Sequence, residues 1–188
     1  MADAAEQFAR FKTLIITAEY PPPLGPHRQI GSLEAQELMP RLDGFFAREK
    51  ISPAIQPLLR SAALFWHDHL DASHTLSEDI STREGSWLHG IMHRREHDYG
   101  NAKYWFHRVG QHPAFATLAS RAQALVKDRE FNTAALSPAH YDGPWDADKF
   151  VDDCERCEQG QDLELDEVLS WVQAAEFDVL VQHILQNA

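Results

Sequence analysis

Proline and glycine cut this chain into segments whose apolar residues recur every three to four positions. That punctuation restricts the fold more than any other feature of the sequence. Pro21-Pro22-Pro23 and Gly25-Pro26 force an extended loop after a first helix over 4–18, although Thr13-Leu14-Ile15-Ile16-Thr17 is β-branched enough to suit a strand as well. Ser32 can cap a helix over 33–48, where Leu33, Leu38, Leu42, Phe45 and Phe46 follow helical spacing. Ser52-Pro53 opens a helix to about residue 74, and Ser81 or Thr82 caps one to about 98, with Glu84 placed as in a capping box. Gly100-Asn101 interrupts that pattern; a short helix over 102–109 ends at Gly110, and Pro113 starts another to about 129. Beyond a loop holding Pro138, Gly143 and Pro144, helices over 146–158 and 163–186 complete the chain. No strand alternation stands out. The expected fold is all-α, a compact single-domain bundle of six to eight helices over residues 1–188. Residues 1–31 supply its N-terminal helix and proline-rich loop, and 141–188 supply acidic helices packed on the rest.

Charge narrows the partners. The net charge is −12, yet residues 1–140 carry 15 Lys+Arg against 16 Asp+Glu, while 141–188 carry 2 against 13. The chain offers no extended basic face for phosphates, so nucleic acid is not an expected partner. No apolar run approaches the ~18 residues of a membrane span. Met1-Ala2-Asp3-Ala4-Ala5-Glu6 lacks the basic and apolar regions of a signal peptide, and two cysteines cannot make a disulfide framework, so a reducing cytoplasm is the expected location. Cys154 and Cys157 form one CxxC, too little for a four-cysteine zinc site, and acidic neighbours disfavour their thiolates. No Walker loop, dinucleotide fingerprint or nucleophile elbow is present.

Histidine supplies the strongest functional signal. Eight of the eleven histidines fall between His67 and His112. His89 and His93 are four apart, so in a helix their rings share one face, and Glu96 continues the stripe. Two imidazoles and a carboxylate are ligands for a first-row metal. His69, on the apolar stripe of the preceding helix, is the expected third ligand. The expectation is therefore a metal centre of His69, His89 and His93 holding Zn²⁺ or a non-haem Fe or Ni ion, with Glu96 and His97 as acid–base candidates. The spacing is not His-Glu-x-x-His, because Gly90 follows His89. His67-Asp68 matches the dipeptide of HD-type phosphohydrolases, but the remaining ligands of that pattern cannot be placed around it.

Arg95 falls on the apolar face of the same helix and needs a partner, either a ligand's carboxylate or phosphate or a structural carboxylate such as Asp68, Asp71 or Asp79. With Tyr99, Lys103, Tyr104 and Trp105 it outlines a pocket of aromatic walls and polar tips. Residues 83–108 hold five Lys+Arg against three Asp+Glu, which favours a small anionic ligand. The stretch Glu84 to Pro113, above all His93-Arg94-Arg95-Glu96 and Asp98-Tyr99-Gly100-Asn101-Ala102-Lys103-Tyr104-Trp105-Phe106, resembles a group of uncharacterised bacterial and fungal proteins; the resemblance implies no activity and transfers no residue roles. Three functions fit these residues: a metal-dependent hydrolase or hydratase acting on a small anion, a metal-free anion-binding module or enzyme using His and Arg, and an interaction protein with structural histidines. Apolar positions on several sides of 163–186 also suit a homodimer.

Overall fold

A computed structural model describes residues 3–18, 20–27, 29–128 and 143–187. Among them the fold is all-α, with nine helices and no strand: α1 Ala4–Ile15, α2 Ala35–Glu49, α3 Gln56–Trp66, α4 Leu70–Glu78, α5 Arg83–Arg95, α6 Tyr99–Val109, α7 Phe115–Asp128, α8 Ala147–Gly160 and α9 Leu163–Gln186. Pro138 and the expected helix end at residue 129 lie outside the described residues. No helix among the described residues is long and apolar enough to cross a membrane.

The count exceeds the expected six to eight because the single helix expected from Ser52-Pro53 to about residue 74 is two, divided at His67-Asp68-His69. Asp68 takes a left-handed backbone with φ 62°, a conformation uncommon outside glycine but more accessible to aspartate. Its carboxylate accepts the Gln29 N–H at 2.7 Å and the Arg95 guanidinium at 2.5 Å. On either side, His67 Nδ1 accepts the Leu33 N–H at 3.1 Å and His69 Nε2 stands 2.8 Å from the Leu33 carbonyl. The junction thus clamps the proline-rich loop onto the bundle, and the HD dipeptide has a structural use.

Helix α5 runs through the middle, against α3, α4 and α6. Thr82 caps it, its hydroxyl accepting the Gly85 N–H at 3.2 Å, and every residue from Gly85 to Arg95 is buried. Gly90 lets α6 approach, since a Cβ there would stand 3.0 Å from the Phe106 ring. Helix α9 closes the other side against α1, α3, α7 and α8. Its apolar positions, among them Val168, Leu169, Val172, Phe177 and Leu180, are buried within the chain itself. The acidic C-terminal quarter is not all solvated surface: Glu176 and Asp153 are buried, the first paired with Arg94 at 2.5 Å and the second with Arg156 at 2.8 Å.

Candidate functional site

Breaking the α3–α4 helix at Asp68 decides which histidine meets the pair on α5. It places His69 at the start of α4, turned to Leu33, and brings His74, one turn further on, over α5. One ring nitrogen from each of His74, His89 and His93 lies within 4.8 Å of the others. The His74 ring meets His89 edge-on at 4.5 Å and His93 at 5.4 Å, and the His89 and His93 rings are 4.9 Å apart. The expected third ligand, His69, is not among them; His74 stands in that place.

The surroundings hold two of the rings as neutral bases. Ser77 donates its hydroxyl to the His74 carbonyl at 3.1 Å, so its lone pairs face His89 Nδ1 at 3.3 Å. That contact sets the His89 proton on Nδ1 and leaves a lone pair on Nε2. Glu96 Oε2 stands 3.1 Å from His93 Nδ1, a charge contact without hydrogen-bond geometry. The Asn101 amide N–H donates to His93 Nε2 at 3.2 Å, which puts the proton on Nδ1 and occupies the lone pair an ion would take, so that amide would have to turn away for an ion to bind. Burial, reinforced by the neighbouring histidines and Arg108, pushes the His89 pKa down to about 4; burial lowers that of His93 too, against the pull of Glu96. Three nitrogens bound tetrahedrally at ~2.1 Å stand about 3.4 Å apart, so an ion would draw these rings together by at most about 1.4 Å. Small ring rotations supply that.

A second group, Glu84, His112 and His183, has the same ligand types but opposite hydrogen-bond logic. The Ala114 N–H donates to His112 Nδ1 at 3.2 Å, which puts the His112 proton on Nε2, aimed at Glu84 at 3.3 Å. His183 Nε2 reaches the same Glu84 oxygen at 3.5 Å. Burial opposes the Glu84 carboxylate, but hydrogen bonds from its own backbone, Thr82 and His112 outweigh it and hold its pKa low; burial lowers that of His112. A metal on His112 Nε2 would need a proton on Nδ1, where Ala114 already points one. This group ties α5, α9 and the loop before α7 together.

The other expected site residues separate. Trp105 joins the histidines, its ring stacked on His89 with centroids 3.9 Å apart. Arg95 does not: it is 0% exposed and bound to Asp68 and the Gly25 carbonyl, the structural alternative. Lys103 is paired with Asp152 of α8, and Tyr104 is 53% exposed with its hydroxyl 3.3 Å from Arg108. His97, at φ 62°, and Tyr99 stack on each other beside a different cavity of about 180 Å³, whose walls include Leu24, Gly25, Cys154 and Cys157. Burial raises both thiols, Cys154 to about 12 and Cys157 to about 11, so neither is a thiolate at neutral pH. Sequence reasoning missed His74, Ser77 and Asn101. His74 and Ser77 carry the i, i+3 signal of one helical turn, but only with the break at Asp68 does that turn face α5.

Compared with known proteins, the chain matches no family model, no curated protein and no solved structure.

Proposed function

We propose that this chain is a metalloprotein that binds one divalent first-row ion, Zn²⁺ or a non-haem Fe²⁺ or Ni²⁺, between His74, His89 and His93. The observation that carries the reading is the convergence of three imidazole nitrogens from α4 and α5 within 4.8 Å, with burial disfavouring the proton on two of the rings, His89 and His93. Neutral imidazole is the ligating form, and three protein ligands leave a fourth position for water or substrate. An ion there activates water for hydrolysis or hydration. Glu96 and Ser77 are positioning residues that hold the His93 and His89 rings, and Trp105 forms a wall beside His89. His97 has no part in this centre.

Elemental mass spectrometry on untagged protein, purified without metal resin, tests the reading. The expected result is about one equivalent of a single metal, lost in His74→Ala and in His89→Ala/His93→Ala but kept in His69→Ala and His112→Ala. Adding that ion at a hundred times its Kd stabilises the protein by about 2.7 kcal/mol, a rise of roughly 5–10 °C in Tm. Metal-free protein with no thermal shift on adding Zn²⁺, Fe²⁺ or Ni²⁺ overturns it.

A further inference from the structure

With Arg95 and Lys103 held by carboxylates, a small anion arriving at the histidine centre needs a different cation, and one stands at its edge. Arg108 projects from α6 one turn beyond Trp105, with its guanidinium carbon 5.0 Å from the Trp105 ring and 5.9 Å from that of Tyr104. Trp105 is the same ring that stacks on His89. The guanidinium therefore lies no more than about 9 Å from the His89 imidazole, about one Debye length.

Two features separate Arg108 from the buried arginines of α5, Arg94 and Arg95. It is exposed, and among the described residues it makes no ion pair; its one hydrogen bond there is from Nη1 to the Tyr104 hydroxyl at 3.3 Å. Arg94 is paired with Glu176, Arg95 with Asp68, and Arg83 donates to the Gln111 carbonyl. A guanidinium over an indole face is also restrained by a cation–π contact, and its fork of N–H donors suits a two-oxygen acceptor. Lys103 and His107, its neighbours on α6, are engaged by Asp152 and Asp148 of α8.

We infer that Arg108 anchors the substrate's oxyanion group, a carboxylate or a phosphate, beside the His74–His89–His93 centre, with Trp105 as the platform joining the two. This rests on the metal reading above and assigns its substrate class. The anion is held by Arg108 while the reacting bond faces the ion, so the substrate carries its charged group some atoms away from that bond.

Titration of Zn²⁺-loaded protein with inorganic phosphate and, separately, with acetate, followed by calorimetry, tests the inference in wild type, Arg108→Ala and Arg108→Lys. Metal content is measured on each sample first. One or both anions should bind, Arg108→Ala should weaken binding by about 10- to 100-fold, Arg108→Lys should recover only part of it, and all three proteins should carry the same metal. The anion that shows this dependence names the group. Equal binding by all three variants, which would mean the ion alone holds the anion, overturns the inference, as does no binding of either anion to loaded protein. Failure of wild type to take up metal overturns both readings, and metal content alone identifies that case.

Discussion

Replacing Glu176 with Gln is expected to unfold this protein well below its normal midpoint, although the side chain keeps its size and shape. Glu176 is 0% exposed; its Oε1 accepts the Trp87 indole N–H at 3.0 Å and its Oε2 the Arg94 guanidinium at 2.5 Å. A glutamine of the same shape offers one acceptor oxygen and one NH₂ donor, so the change removes the charge and leaves one of the two donors facing an N–H. Arg94, 2% exposed, keeps its contact with Gln173 Oε1 at 3.3 Å but loses the Glu176 carboxylate. Breaking a buried pair from one side costs about 3–5 kcal/mol, so this variant should lose at least about 3 kcal/mol. For a chain of this length that is roughly a 6–12 °C fall in Tm. Urea denaturation gives the free energy directly, with an unchanged m-value showing that only stability moved. Arg94→Met should cost a comparable amount by stranding the carboxylate. The double variant Arg94→Met/Glu176→Gln, which removes both charges and keeps an acceptor for Trp87, should recover most of the loss. A Glu176→Gln cost below about 1 kcal/mol, or single costs that simply add in the double variant, would refute the view that the pair is held by mutual neutralisation.

Glycine substitution in α5 should be destabilising where exposed helices would gain. A Cβ at Gly85 would sit 2.3 Å from the Ile80 carbonyl oxygen and one at Gly90 3.0 Å from the Phe106 ring, so each change to Ala is expected to lower stability by about 1–3 kcal/mol in thermal melts, Gly85→Ala the more. Burial, with His69 and Arg41 nearby, pushes the His67 pKa down to about 4, while the unfolded chain titrates near its ordinary 6.5. The unfolded state therefore takes the proton first as pH falls. Stability is complete above about pH 6.5 and loses up to about 3 kcal/mol by pH 4; urea titrations of His67→Asn should show a shallower loss over that window. Ser77→Ala should weaken metal binding about 10- to 100-fold while the His89 and His93 side chains remain, read by competition with a chromophoric chelator; unchanged affinity would remove Ser77 from the centre.

Helical periodicity and its breakers are local, and for that reason the all-α class and most helix positions can be read from the chain. The break at His67-Asp68-His69 cannot: a left-handed aspartate is stabilised by Gln29 and Arg95, 39 and 27 residues away. That one junction moved the third histidine from His69 to His74. The pairing of His89 with His93 follows from four-residue spacing alone, and the apolar face on which Arg95 falls shows that it needs a partner, but not that the partner is Asp68 rather than a ligand. Which of two similar His/Glu groups can accept a metal depends on single backbone donors such as the Ala114 N–H, which no pattern encodes.

The clamp on the proline-rich loop also orders events in time. Between Pro23 and Leu33 the backbone is held by Gln173, Arg95, Asp68, His67 and His69, drawn from α9, the end of α5 and the α3–α4 junction. None of these attachment points exists until those helices have assembled, and the loop brings little regular hydrogen bonding of its own. Its docking therefore depends on the prior assembly of those helices. Because Arg95 Nη2 binds both Gly25 and Asp68, each release loosens the junction that starts α4 and, through it, the seating of His74.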